Sequence, residues 1–329
     1  MESGPLRLFA INATHALGSR VADHLGIALS PHEEREFEDG EHKARPLLNV
    51  RGGDVYVLQS LHSEPGASVN DKLVRLLFFL GALRDASAGR VTALVPYLAY
   101  TRKEIKTQPR DPVTTRYVAA LFEAVGVDRV LTLDVHNLAA FQNAFRCRTD
   151  HLDTAALFAR YFANVLREER NIVVVSPDAG GVKRAERLRR LLGRLRGTEP
   201  PLAFMEKTRG GGKLTAGRMV GDVVGSAAII VDDIISTGGT LAHAARACRA
   251  AGANRVFAAA AHGLFIGDAG RVLAADDIEQ VVVTDSVPPF RLAPDLVQEK
   301  LVILSIAALF AEAIRRLHDG GSLVELLDI

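Results

Sequence analysis

Apolar and polar positions follow one scheme three times along the chain. Residues 82–96, 121–134 and 247–259 each carry a helical pattern that closes on a glycine: Gly89, Gly126 and Gly252. Each then passes through an Arg-Val pair (Arg90-Val91, Arg129-Val130, Arg255-Val256) into a continuous apolar run. A glycine after a helical pattern marks a helix end, and a short unbroken apolar run predicts a strand buried on both faces. Further strands are predicted at residues 6–11, 55–59, 172–176, 227–231 and 281–284, with a helix over 155–167. Helices alternating with fully apolar strands predict an α/β protein whose sheets are mainly parallel and flanked by helices.

A fresh series of units begins after Cys147-Arg148-Thr149-Asp150, which predicts two similar α/β domains, residues 1–150 and 151–304. The apolar stretch 301–314 reads as a core-packed helix. The final segment, 305–329, with a helix over roughly 305–318, is expected to pack back on the first domain. Residues 206–215, with Gly210-Gly211-Gly212 between charges, predict a mobile loop.

Composition narrows the class little further. A chain of 329 residues with 48% hydrophobic and 24% charged residues suits soluble globular domains with real cores. The net charge of +1 gives no global field for nucleic acid or an acidic membrane. The two cysteines, Cys147 and Cys248, have neither metal-ligand spacing nor a disulfide framework, which fits buried thiols in a reducing cytoplasm. No basic region followed by an apolar stretch opens the sequence, so no signal peptide is expected, and no apolar run is long enough to span a bilayer.

Chemistry concentrates where predicted strands end. The run Ala227–Val231 leads into Asp232-Asp233-Ile234-Ile235-Ser236-Thr237-Gly238-Gly239-Thr240 and then a helical pattern. Backbone N–H groups at such a helix start converge on an anion, and glycine lets the backbone approach it. Ser236, Thr237 and Thr240 add hydroxyl donors. Paired acids at a strand's carboxyl end sit where open α/β sheets bind ligands. A plain Gly-Gly turn is the simpler alternative, but the whole string matches the motif of phosphoribosyl-diphosphate-binding proteins.

Four other segments carry candidate groups, each with an ordinary structural alternative. Asp134-Val135-His136 follows a strand, and positions i and i+2 of an extended segment share a face; that would turn a carboxylate and an imidazole into one crevice, or simply cap a strand. Ser176-Pro177-Asp178-Ala179-Gly180-Gly181 reads as a diphosphate and Mg²⁺ loop or as a common turn. Phe37-Glu38-Asp39-Gly40-Glu41 could stack a base and accept from its amine or ribose hydroxyls, or form an acidic exposed turn. Arg102 and Lys103 could meet nucleotide phosphates or be solvated cations. Lys207 and Arg209, on the glycine-rich loop, could close over a reaction centre.

Taken in order, these segments resemble ribose-phosphate diphosphokinases from residue 8 to about residue 319. The resemblance implies two phosphoribosyltransferase-like domains per subunit, ATP and ribose 5-phosphate as substrates, Mg²⁺ as cofactor, and homo-oligomers in which dimers build a hexamer. It implies that the first domain holds ATP and the second the sugar phosphate. Residue by residue, Phe37, Asp39 and Glu41 would hold the adenine, from a neighbouring subunit. Arg102 and Lys103 would meet the ATP phosphates, and His136 and Asp178 would organise the metal and triphosphate. Asp232 and Asp233 would address the ribose hydroxyls, Ser236 to Thr240 the 5-phosphate, and Lys207 and Arg209 the reacting phosphorus. The sequence departs from the family where Lys103-Glu104-Ile105 replaces Gln-Asp-Arg, at Ser236 where Asp is commonest, in the three loop glycines, and at Ala44-Arg45-Pro46-Leu47-Leu48. These regions also bear on phosphate activation and ADP inhibition in the family. A silent regulatory paralogue and a phosphoribosyltransferase are the alternative readings. Survival of His136, Asp178, Lys207 and Arg209 speaks against the first, and chemistry in both halves against the second.

Overall fold

A computed structural model describes residues 4–206, 209–210, 213–214 and 218–328, with the backbone alone for those between 207 and 217. The chain forms two compact units, residues 1–152 with 306–327, and residues 153–305 with 328–329.

The first unit runs β1 (Leu6–Ala10), α1 (His15–Leu25), β2 (His32–Glu36), β3 (His42–Pro46), β4 (Asp54–Leu58), α2 (Val69–Asp85), β5 (Arg90–Val95), α3 (Thr114–Ala124), β6 (Arg129–Leu133), α4 (Leu138–Ala144) and β7 (Arg148–Leu152). Strands β1-β4-β5-β6-β7 form one parallel sheet in that order. Every side chain of β4 is buried, as the apolar run requires of a central parallel strand. Leu76, Phe79, Leu80 and Leu83 of α2 pack with Val118 and Phe122 of α3 against that sheet. Ser68 and Asp71 close a capping box at the start of α2. β2 and β3 instead form a separate antiparallel ribbon.

The second unit continues with α5 (Ala155–Val165), β8 (Ile172–Ser176), α6 (Val182–Arg196), β9 (Leu202–Glu206), β10 (Arg209–Gly210), β11 (Lys213–Leu214), β12 (Arg218–Val220), β13 (Ala227–Ile235), α7 (Gly239–Ala250), β14 (Arg255–Gly263), α8 (Ala269–Leu273), β15 (Gln280–Thr284), α9 (Pro294–Lys300) and β16 (Leu301–Leu304). Its sheet has the order β12-β9-β8-β13-β14-β15-β16, parallel except where β12 runs against β9. Ala228 and Ile230 of β13 face α7, while Ala227, Ile229 and Val231 face α5 and α6. The sheet is therefore covered on both sides, as expected of the α/β class. The chain then returns to the first unit with α10 (Ala307–Asp319) and α11 (Leu323–Leu326). There His318 Nδ1 meets the buried Asp54 carboxylate at 2.7 Å, and Arg315 donates to the His24 carbonyl at 3.1 Å.

The three Arg-Val units fold alike. Each arginine opens its strand and pairs with an acid: Arg90 with Asp54, Arg129 with Asp150, Arg255 with Glu279. One detail differs from expectation. After α2 the left-handed residue is Ser87 (φ 64°), not Gly89. Gly89 is instead required by proximity, since a Cβ there would lie 2.8 Å from the Gly52 carbonyl oxygen. The apolar stretch 301–314 is also not one helix: residues 301–304 form β16 and the helix starts at Ala307. In the glycine-rich segment, Arg209 pairs with Leu214 and Gly210 with Lys213, so part of the expected loop is a short antiparallel ladder.

Candidate active site

The second sheet has one topological switch point. From β8 the chain passes through α6 to β9 on one side; from β13 it passes through α7 to β14 on the other. Crevices at the carboxyl ends of such neighbouring strands are where open α/β sheets bind ligands. The Asp178 loop follows β8, and the Asp232–Thr240 segment ends β13 and begins α7.

β13 overruns its neighbour. It pairs with β8 only as far as Ile230, but with β14 as far as Ile235. The strand therefore runs four residues past its predicted end, to Ile235, and includes Asp232 and Asp233, which stand past the β8 ladder. Asp233 is buried and Asp232 partly exposed. Asp233 N–H donates to Asp232 Oδ1 at 2.9 Å. Arg184, in the first turn of α6, lies 3.6 Å from Asp232 and 3.4 Å from Asp233. Burial, and then the adjoining Asp233 carboxyl, push the Asp232 carboxyl up to about 7 in spite of Arg184.

Beyond the acids the backbone turns sharply. Gly238 is left-handed (φ 77°) and forms the N-cap of α7, with no side-chain cap and no acid in the first turn. The first-turn N–H groups of that 12-residue helix are thus left for an anion. Ser236 is partly exposed, and Thr237, Gly239 and Thr240 are exposed around this turn. Ile266 N–H donates to the Ser236 carbonyl at 3.0 Å, which anchors the turn from the far side. In the neighbouring loop, Ser176 donates to the Asp178 carbonyl at 2.6 Å and Gly181 N–H donates to Asp178 Oδ1 at 3.0 Å.

The first unit holds the remaining candidates. Phe37, Asp39 and Glu41 crown the β2–β3 ribbon, all exposed, in a turn closed by Phe37 N–H to the Glu41 carbonyl at 2.7 Å. The Arg35 guanidinium lies over the Phe37 ring at 5.0 Å. Arg102 is exposed on the loop after β5. Lys103, beside it, is drawn away: its Nζ sits 2.5 Å from Asp111 and 3.0 Å from Thr107. His136 does not share a face with Asp134. Asp134 adopts φ 39°, so the segment is not extended; Asp134 is buried and His136 exposed. Contacts that hold this turn include Val135 N–H to His151 Nε2 at 3.3 Å, and Asn137 Nδ2 to Glu104 Oε1 at 2.9 Å. The second ties the His136 turn to the Arg102 loop.

Lys207, and the Arg209 side chain, lie outside the described residues. Their segment is rooted by β9 and β12, which pair Glu206 with Arg218. Sequence reasoning missed Arg184, three residues past the Asp178 loop, because α6 is rich in arginine. Arg187 and Arg189 in the same helix pair with Asp153 at 2.6 Å and Glu199 at 2.8 Å. Burial pushes the Cys147 thiol up to about 11 and that of Cys248 to about 12, so neither is poised for chemistry.

Comparisons with known proteins identify the family. Residues 6–126 match the N-terminal domain of ribose phosphate pyrophosphokinase, and residues 213–328 match the phosphoribosyl synthetase-associated domain. The ribose-phosphate pyrophosphokinase of Caldanaerobacter subterraneus is 38% identical over 98% of this chain and 97% of its own. That of Pasteurella multocida is 38% identical over 97% and 98%. The crystal structure of phosphoribosylpyrophosphate synthetase from Mycobacterium smegmatis superposes with a TM-score of 0.86 at 37% identity, covering 96% of this chain and 100% of that one. The chain belongs to the ribose-phosphate pyrophosphokinase family.

Proposed function

We propose that the protein transfers the diphosphoryl group of ATP to the C1 hydroxyl of ribose 5-phosphate, releasing AMP and 5-phosphoribosyl 1-diphosphate. In this reaction the C1 oxygen bonds to the β-phosphorus, the bond from that phosphorus to the α-phosphate oxygen breaks, and the hydroxyl proton leaves. The observation that carries the reading is the switch point of the second unit, where an acid pair at the end of β13 is followed five residues later by an uncapped helix N-terminus. Carboxylates accept from sugar hydroxyls and the N–H groups of the helix start donate to a phosphate, which is the polarity of a phosphorylated ribose.

On this reading the second unit is the sugar-phosphate side. Asp232 and Asp233 address the ribose hydroxyls, and Ser236, Thr237, Gly238, Gly239 and Thr240 the 5-phosphate. The first unit is the ATP side, with Phe37, Asp39 and Glu41 for the base and Arg102 for the phosphates. Lys103, committed to Asp111, adds background charge rather than a direct contact. Lys207 and Arg209 act on the reacting phosphorus.

Mg²⁺ is the proposed cofactor. Among the described residues no group of three or more His, Cys, Asp or Glu side chains could hold an ion. That suits Mg²⁺, which is commonly bound through one or two side chains plus substrate phosphates rather than by a protein cage. His136 and Asp178 would contact it as it arrives with ATP, and it would neutralise the triphosphate.

The enzyme is proposed to be a cytoplasmic homo-oligomer. Among the described residues no helix is long and apolar enough to cross a membrane. Exposed apolar pairs at helical spacing, Val74 and Phe78 on α2 and Tyr117 and Leu121 on α3, support self-association. Phe78, 61% exposed, is the most exposed of them. Phe78→Glu should lower the solution mass seen by light scattering; an unchanged mass argues against this face. The reaction itself is tested by incubating the protein with MgATP and following AMP. AMP that appears only with ribose 5-phosphate supports it, and none despite bound nucleotide contradicts it.

A further inference from the structure

We infer that Arg184 is a positioning residue for the sugar, holding the Asp232–Asp233 pair in its ionised, hydroxyl-accepting form. This rests on the assignment of the acid pair to the ribose hydroxyls. Arg184 reaches both acids, at 3.6 and 3.4 Å, from the first turn of α6. Adjacent strand residues start toward opposite faces, yet one guanidinium nitrogen meets both carboxylates, so these converge past the strand's edge. Arg184 can enter there because the β8 ladder stops at Ile230.

The distances matter. They exceed the 2.7–2.9 Å of a charge-assisted hydrogen bond, so Arg184 offsets the charge of the pair without clamping it. The other arginines around it in α6 behave differently, as Arg187 and Arg189 make short pairs with Asp153 and Glu199. Arg184 is a cation with one guanidinium nitrogen near both acids. Two carboxyls side by side, one of them buried, favour sharing a proton unless a cation opposes it. Burial and Asp233 already push the Asp232 carboxyl up to about 7 with Arg184 in place. Asp232 is thus partly protonated near neutrality even with Arg184; removing the guanidinium pushes its carboxyl up further, so the pair would carry its proton most of the time and accept one hydroxyl fewer. Ionised acceptors bind hydroxyls roughly twice as strongly as neutral ones.

The sign of the effect follows. Binding of ribose 5-phosphate weakens as pH falls through the Asp232 titration, and Arg184→Gln moves that transition to higher pH. The test measures KM for ribose 5-phosphate and for ATP from about pH 6 to about pH 9 in the full chain. For Arg184→Gln the sugar KM should rise about tenfold near neutrality and return toward wild type at the alkaline end. KM for ATP should stay unchanged, and Arg184→Lys, which keeps a charge, should retain most of the affinity. A loss equal at every pH, or no change in sugar KM, overturns the inference. If the wild-type protein forms no AMP, the reaction assignment fails instead. Calorimetric titration of ribose 5-phosphate into the same variants then tests the inference by itself.

Discussion

Alanine at Lys207 or at Arg209 should cut turnover by on the order of 10²–10³-fold, the usual loss when one charge-stabilising donor is removed from a transition state. Phosphoryl-type transfer gives the protein little covalent work; positioning and neutralisation of charge dominate. Two cations on a segment rooted between β9 and β12 are suited to that task, because the Glu206–Arg218 pairing fixes both ends of the segment to the sheet edge. Neither residue belongs to the acid pair or the α7 turn, so the dissociation constant for ribose 5-phosphate should change little. Calorimetry for binding and AMP release for turnover separate the two effects. Near-normal turnover in both variants would remove the segment from the reaction.

The second large effect is expected at Gly238. Its φ of 77° is strained for any side chain, and a Cβ there would sit 3.0 Å from Val272 Cγ1. Gly238→Val therefore forces either strain or a moved turn, at a cost of about 1–3 kcal/mol. Since the turn presents the α7 N–H groups, the cost falls on anion binding, and affinity for ribose 5-phosphate should drop roughly ten- to a hundredfold. Gly239→Ala is the comparison for the fold: Gly239 has no positive φ, and its Cβ would be 3.8 Å from Thr237 Oγ1, an ordinary contact, so its thermal stability should match wild type while that of Gly238→Val falls. An unchanged sugar affinity in Gly238→Val would mean the turn does not hold the phosphate.

The parts of the fold that were legible in sequence are those governed by burial. β4, β8 and the start of β13 are covered on both faces, so their apolar runs are unbroken and readable. The β2–β3 ribbon was missed for the opposite reason. Its strands, His32–Glu36 and His42–Pro46, are charge-rich and held by ladder bonds and pairs such as Arg45–Glu33 at 2.6 Å, so no apolar alternation marks them. Residues 301–304 were absorbed into the following helix because a short apolar run beside an amphipathic helix has no period of its own.

The site was legible as motifs but not as geometry. The string from Asp232 to Thr240 announces a helix start with donors, and α7 begins there, at Gly239. It does not reveal that both acids lie inside the strand, because that depends on how far the β14 ladder runs, which is to Ile235. The alternation argument for Asp134 and His136 failed on one dihedral: a left-handed Asp134 breaks the extended segment it assumed. Lys103 looked equivalent to Arg102 until the fold brought Asp111 beside it. Arg184 could not be singled out, since only the packing of α6 against β13 distinguishes it from its neighbours.

The most direct measurement follows the phosphorus atoms. ATP labelled separately at its α- and β-phosphates is incubated with the protein and ribose 5-phosphate, and the products are separated. Diphosphoryl transfer predicts the β-label on the sugar as part of a C1 diphosphate and the α-label in AMP. A β-label retained in ADP, or a sugar that gains no β-label while nucleotide is consumed, would contradict the account.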